Sequence, residues 1–281
     1  MTYAALRRRA HVTGMLLALA GCGVRSRPAP SPVTVRVLVY NMHAGKDARG
    51  ADNLARVAAL VRQVGADVVL LQEVDRLTTR SGGVDQPAVL RRRTGYHVAF
   101  GRTLDYQGGE YGIAVLSRAP IVRDTLVRLP VDPPQERAGG AREPRGALVV
   151  TIGLPGGPLM VVNTHLDASR EDRWRLQEIV TVLELARATS SSDAWALLGG
   201  DFNSTPESAT QAAVRQGGLR DAWDACGSGD GLTYPADSAV KRIDYLFLVG
   251  VAGCTDARVL ASDASDHRPL LVRVTLPPRA R

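Results

Sequence analysis

Two short runs near the C-terminal end gather side chains suited to hydrolytic chemistry: Gly200-Asp201-Phe202-Asn203 and Ser265-Asp266-His267-Arg268-Pro269. Each sets an Asp beside a group able to hold a phosphate oxygen or move a proton, and each adjoins an apolar run that reads as a buried strand. Carboxylates, an amide and an imidazole at strand ends are the parts that metal-assisted hydrolysis of a phosphate ester needs. Either run alone reads equally well as a polar turn at a strand end. Their co-occurrence, with matching elements upstream, points to chemistry.

The elements that must position these groups follow from periodicity. Val33–Val39 alternates as a half-buried strand and delivers Asn41 at its end, and Val68–Leu71 reads as an interior strand leading to Gln72-Glu73. Further strands fit His97–Phe100, Ile113–Leu116, Ala147–Ile152, Met160–Asn163, Ala196–Leu198, Tyr245–Val249 and Leu270–Val274. Helices are predicted after Asp52, over Ala88–Arg93, over Asp172–Ala188 behind a Ser169/Asp172 capping pair, and from Thr205-Pro206. In the long helix Leu176, Ile179, Val180, Leu183 and Leu185 supply the apolar surface. Arg76–Gln86, Gly101–Glu110 and Pro133–Pro144 read as long connections of the kind that frame a site. Many strands with fewer helices predict one layered α/β domain with mixed sheets.

Composition narrows the partners. The chain has 281 residues and a formal charge of +7, but no acid precedes Asp47. Arg7, Arg8, Arg9, Arg25 and Arg27 are five of the 35 Lys and Arg, so the remainder carries 30 against 28 Asp and Glu, a net of +2. A nearly neutral domain with 5% aromatic residues offers neither a broad basic face nor many stacking platforms for nucleic acid. At the N-terminus an Arg run precedes the short apolar stretch Val12–Ala20, which is too short to span a bilayer as a mature helix. It ends in Leu19-Ala20-Gly21-Cys22, which is similar to the lipobox of bacterial lipoproteins. The reading is residues 1–21 as signal peptide, lipidation at Cys22, 22–32 as a disordered tether and 33–278 as the domain. Such a protein is exported and lipid-anchored to the bacterial cell envelope, as a monomer. Cys226 and Cys254 form either a disulfide or two separate buried thiols.

Five elements recur in one order: Asn41-Met42-His43, Leu71-Gln72-Glu73-Val74, Asn163-Thr164-His165, Gly200-Asp201-Phe202-Asn203 and Ser265-Asp266-His267, with Arg242-Ile243-Asp244-Tyr245 before the last. Together they resemble the endonuclease/exonuclease/phosphatase superfamily over nearly all of Val33–Val274. That resemblance implies a four-layer α-β-β-α sandwich of two packed mixed β-sheets flanked by helices, with a Mg²⁺ (or Mn²⁺) site at one end. It implies Glu73 as principal metal ligand, with Asn41 and Asp266 beside it. It implies His267 next to the scissile phosphate and oriented by Asp244, with Asp201 and Asn203 positioning water and a phosphate oxygen. His165 resembles a second catalytic histidine with Glu110 as its carboxylate, or else a phosphate-binding donor or a structural strand-end residue. Arg145 is a candidate for neutralising the ester or a surface residue closing a loop, and His43 departs from the Asp or Arg of many nucleases of the superfamily. The block Arg80-Ser81-Gly82-Gly83-Val84-Asp85-Gln86 and the run Gly109-Glu110-Tyr111-Gly112 resemble bacterial members of mostly unassigned substrate.

The expectation is a divalent-metal-dependent phosphodiesterase acting on a small or lipid-linked phosphate ester. A nuclease with the same chemistry and a non-catalytic binding lipoprotein are its rivals. The anchor is testable by itself. Mature protein is expected to begin at a lipidated Cys22 and to fractionate with membranes, and Cys22→Ser to give soluble or uncleaved protein. Intact-mass analysis finding an unmodified N-terminus at another residue would remove the anchor.

Overall fold

The computed structural model describes residues 1, 31–134, 143–189, 195–250 and 252–278. The signal sequence, Cys22 and nearly all of the predicted tether lie outside the described residues, as does most of the predicted loop Pro133–Pro144. The chain runs β1 (Val33–Asn41), α1 (Leu54–Val64), β2 (Val68–Arg76), α2 (Gln86–Thr94), β3 (His97–Tyr106), β4 (Gly109–Ser117), β5 (Ile121–Leu129), β6 (Arg145–Leu154) and β7 (Gly157–His165). It continues through α3 (Arg173–Thr189), β8 (Trp195–Asp201), α4 (Ala209–Gln216), β9 (Arg220–Asp221), α5 (Ala222–Cys226), β10 (Asp244–Val249), β11 (Gly253–Val259) and β12 (Leu270–Leu276).

The strands form two six-stranded mixed sheets, ordered β11-β12-β1-β2-β4-β3 and β5-β6-β7-β8-β10-β9. Val35, Val37, Val39, Leu70 and Val115 of the first sheet meet Leu148, Val161, Leu197 and Leu246 of the second in one buried core. The opposite face of the first sheet packs Leu38, Tyr40, Val69 and Leu71 against Val57 and Val61 of α1 and Leu90 of α2. The opposite face of the second packs Val162, Leu198 and Phe247 against Ile179, Val182 and Leu183 of α3 and Val214 of α4. This is the four-layer α-β-β-α sandwich. Because both sheets are covered on both sides, the central strands read as continuous apolar runs. β1 is buried on both faces for that reason, and its Leu38 faces helices instead of solvent.

Several local expectations are corrected. Gly101–Glu110 is no loop: β3 and β4 join in a hairpin whose two-residue turn, Gln107-Gly108, has φ of 47° and 77°, the primed-turn geometry that matches strand twist. The edge strands β5 and β11 escaped the periodicity reading because much of β5 is exposed and β11 carries few apolar residues. On α3, Leu176 and Val180 are exposed and Val182 and Ala186 are buried. α4 begins three residues after Pro206, where the Ser208 hydroxyl accepts from the Gln211 amide. Asp172 joins no capping box with Ser169; it receives the Ala209 amide and the Thr210 hydroxyl and ties α3 to the start of α4. Cys226 and Cys254 are bonded, closing a 28-residue separation worth about 3–4 kcal/mol in the loop-entropy account.

A buried amide pair joins the two sheets through the apolar core. Gln72 Nε2 donates to Asn163 Oδ1 at 2.7 Å, and Asn163 Nδ2 donates to the carbonyls of Leu71 and Ala114 at 3.0 and 2.9 Å. Both side chains are fully buried. Asn163→Ala would strand one amide and two carbonyls in the core, and each orphaned group costs about 1–3 kcal/mol. We expect a loss of about 3 kcal/mol or more in urea unfolding. A change below about 1 kcal/mol would show that the clamp holds nothing together.

Candidate active site

The site forms where the parallel pairs β1–β2 and β7–β8 end together. Asn41 lies opposite Gln72 in the first pair and His165 opposite Asp201 in the second, while β10 begins with Asp244 opposite Asp201. Gly200 permits this approach. Its φ is 142°, and a Cβ there would meet the Thr164 carbonyl oxygen at 1.9 Å. The loop before β12 brings Asp266 and His267 over the same end, where the Ser265 hydroxyl donates to the Asn41 carbonyl at 2.7 Å. In β2 the pairing with β4 slips between Leu71 and Val74. This bulge leaves Glu73 at φ 55° and turns its carboxylate into a cavity of about 550 Å³ that Asp201, Asn203, Asp266, His267 and His165 also line.

Asp244 Oδ2 sits 2.9 Å from His267 Nδ1, so the ring carries its proton there and turns Nε2 to the cavity. Burial pushes His267 down, but the charges of Asp244, Asp201 and Asp266 outweigh it and raise the imidazole to about 10. It is an imidazolium at neutral pH. Asp201 Oδ2 lies 3.7 Å from His267 Nε2 and accepts from Asn41 Nδ2 at 3.0 Å. Burial first, and the nearby Asp244 charge second, raise the Asp201 carboxyl well above the usual carboxylate range.

His165 has the opposite character. Its Nδ1 meets Arg145 Nη1 at 2.9 Å, and since a guanidinium can only donate, Nδ1 must accept. Burial, then the charges of Arg145 and His267, hold His165 well below the ordinary histidine value. His165 is therefore a neutral ring, and its Nε2 lies 3.0 Å from Asn203 Nδ2 and 3.6 Å from Asp201 Oδ2. Arg145 is buried and paired with Glu143 at 2.8 Å, so it is no surface residue closing a loop. The proposed Glu110 partnership fails: Glu110 pairs with Arg76 on the β2–β4 ladder, away from His165. His43 also stays out of the cavity lining; its Nδ1 is 3.7 Å from Asp266 Oδ1.

Two places could hold a cation. Asp201, Asp244 and His267 bring ligand atoms within 4.8 Å of one another. There, however, the His267 imidazolium already meets both carboxylates. Glu73 and Asp266 face the cavity with no Lys or Arg in ion-pair contact among the described residues. Their hard oxygens in a solvent-reached site suit Mg²⁺, which needs only one or two carboxylates and keeps water. Asn41 plays a different part from the ligand expected of it. Its Nδ2 donates to Glu73 Oε1 at 3.1 Å as well as to Asp201, and its Oδ1 accepts from the His43 amide. It spaces the two carboxylates.

Residues missed as site members are Glu143, Tyr234, Arg170 and Lys241, all lining the cavity, and Arg80, quoted only as part of a motif. Tyr234 lies over the His267 ring with centroids 4.8 Å apart. Glu143 follows a stretch of mixed acidic and basic residues that gives no periodic signal, and Tyr234 and Lys241 sit in an irregular segment. The Arg80 signal was present, as an Arg shortly after the Glu73 strand.

Comparison with known proteins agrees with this arrangement. Residues 38–267 match the Endonuclease/Exonuclease/phosphatase family. The chain is 27% identical over 254 residues to the uncharacterized protein YbhP of Escherichia coli K12, covering 86% of this chain and 96% of that one. An endonuclease/exonuclease/phosphatase from Beutenbergia cavernae superimposes with a TM-score of 0.74 at 26% identity, covering 87% of this chain and 72% of that structure. A mannosyl-6-phosphatase of Bacteroides thetaiotaomicron shares the fold with a TM-score of 0.69 at 20% identity, covering 85% and 99%. Members of this family hydrolyse phosphate esters and typically depend on divalent metal. With the strand-end carboxylates and histidines in place, the chain belongs to the endonuclease/exonuclease/phosphatase family.

Proposed function

We propose that the protein is a divalent-metal-dependent phosphodiesterase acting on a small or lipid-linked phosphate ester at the bacterial cell envelope. The observation that carries the reading is the placement of Asp201 Oδ2 between two imidazole Nε2 atoms, at 3.6 Å from His165 and 3.7 Å from His267. These gaps exceed a hydrogen bond, leaving the three groups aimed at shared space at the cavity floor. An oxygen of a phosphate or an attacking water in that space has donors and an acceptor around it.

The roles follow from the charges. Asp201 is the base: its raised carboxyl affinity for protons suits it to take one from water at neutral pH. The His267 imidazolium, fixed by Asp244, donates from Nε2 to a phosphoryl oxygen and offsets the negative charge that grows in the pentacoordinate state. His165, a neutral ring held between Arg145 and Asn203, lines the same space without adding charge to it. Asn203 steadies its neighbours, its amide nitrogen donating to the Leu166 carbonyl and its backbone amide to Asp201 Oδ1. Glu73 and Asp266 would hold the metal, which when bound supplies Lewis-acid stabilisation of phosphoryl charge. A cavity of about 550 Å³ and the near-neutral domain favour a small ester over a duplex. A nuclease would lose affinity steeply as salt rises, and this enzyme is not expected to. The envelope location rests on the Cys22 motif, and no helix among the described residues is long and apolar enough to cross a membrane.

The test uses purified protein, Mg²⁺ or Mn²⁺ and bis(4-nitrophenyl) phosphate within a diester panel. EDTA is expected to abolish turnover and Mg²⁺ to restore it. Glu73→Gln should raise the Mg²⁺ concentration needed and lower kcat together. Asp244→Asn should fold normally yet lose about 10²–10⁴-fold in kcat/KM, with no rescue by metal. His267→Ala should add little to Asp244→Asn, since groups acting as one unit are strongly non-additive. Near-wild-type turnover by folded Glu73→Gln and His267→Ala proteins would overturn the assignment.

A further inference from the structure

The cavity holds more cationic donors than one phosphate and its hydrolysis use. On the wall formed after β2, Arg80 is built in. Its Nε and Nη2 donate to the two oxygens of Asp75 at 2.8 Å each, and Asp75 is fully buried and held by the Thr78 hydroxyl at 2.7 Å. The guanidinium lies over Tyr106 and Tyr111, 4.6 and 5.1 Å from the ring centroids. Its Nη1 has no hydrogen-bond partner among the described residues, and the side chain lines the cavity. Arg170 and Lys241 line the same cavity from two other loops. Both are exposed, and neither forms an ion pair with a carboxylate among the described residues. Arg145 and Arg175, by contrast, are buried against Glu143 and Asp172.

The aromatic faces give the same message from the other side. Tyr106 and Tyr111 carry Arg80 over them, and Tyr234 neighbours both the His267 ring and Lys241 Nζ, the latter 6.0 Å from its centroid. A substrate with a quaternary ammonium headgroup needs open aromatic faces. Here a cation already sits over each of these rings, and a second positive group would meet repulsion. A negative group would meet a fixed guanidinium edge and two exposed cations.

We propose that Arg80, with Arg170 and Lys241 at the cavity mouth, is a second anion-binding site, so that the substrate is a phosphate ester bearing a further phosphate or carboxylate. The proposal rests on the phosphoesterase reading for the position of the scissile phosphate. Asp75 and the two tyrosines fix Arg80 before any ligand arrives, so little ordering cost falls on binding. Arg170 and Lys241 adapt to the length of the substrate.

Calorimetric binding in EDTA, where the chain's own residues act without metal or turnover, tests this with four probes of similar size. These are fructose 6-phosphate, fructose 1,6-bisphosphate, 6-phosphogluconate and phosphocholine. The bisphosphate is expected to bind about tenfold or more tighter than the monophosphate, as charge-assisted hydrogen bonds of this kind allow. A comparable gain for 6-phosphogluconate assigns a carboxylate to the site, and its absence assigns a phosphate. Arg170→Gln/Lys241→Gln and, separately, Arg80→Lys, which keeps a charge beside Asp75, should each remove most of the difference. Equal affinities for mono- and bisphosphate, tighter binding of phosphocholine, or an undiminished preference in both variants would overturn the second site. Turnover of bis(4-nitrophenyl) phosphate by the same preparation with Mg²⁺ is scored separately. Its absence would count against the phosphoesterase reading and not against the anion site.

Discussion

The amide pair Gln72–Asn163 is the contact on which the site depends. Two sheets that meet through aliphatic side chains have no inherent fixed register, because dispersion and burial are nearly indifferent to a small slide. A buried amide with directional partners is not indifferent. Gln72 immediately precedes Glu73, and Asn163 is two residues before His165. Joining them at 2.7 Å sets the metal-side carboxylate of one sheet against the histidine of the other. Asn41 then repeats the device one layer higher, its single amide nitrogen reaching Glu73 and Asp201 across the same gap. Reactive groups on separate sheets are thus held by neutral amides, which impose distance without consuming charge.

The two histidines show how one cavity keeps two protonation states. Both rings are buried and both suffer the same desolvation. His267 has Asp244 behind it and is charged; His165 has Arg145 behind it and is neutral. Opposite partners on the rear nitrogen therefore give one charged and one neutral ring beside one carboxylate. An imidazolium is a strong donor to developing negative charge, while a neutral ring adds no charge that would hold the ground state tightly. Exchange of Arg145 for a carboxylate would make the pair alike and lose that division.

How much of this could be read from the chain varies by residue. The sandwich and its central strands were legible, because runs such as Val68–Leu71 and Ala196–Leu198 are continuous and end in short polar motifs. Glu73, Asp201 and His267 were legible as a group from their order. Glu110 was misplaced because pairing register decides its neighbour: opposite Arg76 in the β2–β4 ladder, it has a partner that sequence distance cannot reveal. Arg145 was ambiguous since a loop-flanking Arg looks the same whether buried or exposed. The roles of Tyr234 and Lys241 were invisible for a related reason. They act through faces and edges of rings, which depend on where loops fold back and carry no period.

The backbone at the site supplies the remaining constraint. His43, Glu73 and Asn203 all have positive φ, at 51°, 55° and 47°, and such conformations cost about 1–3 kcal/mol each for residues with side chains. None of the three is at a free hinge. The His43 amide is tied to Asn41, the Asn203 amide to Asp201, and Glu73 follows a residue clamped to the other sheet. Each strained residue is therefore held by a side chain of the site itself. The strain turns Glu73 out of the β2 ladder toward the cavity and turns Asn203 back toward His165 after β8. Glycine would relieve it but carries neither the carboxylate nor the amide. Chemistry and conformation thus make opposing demands at these positions, and the surrounding core and hydrogen bonds offset the difference.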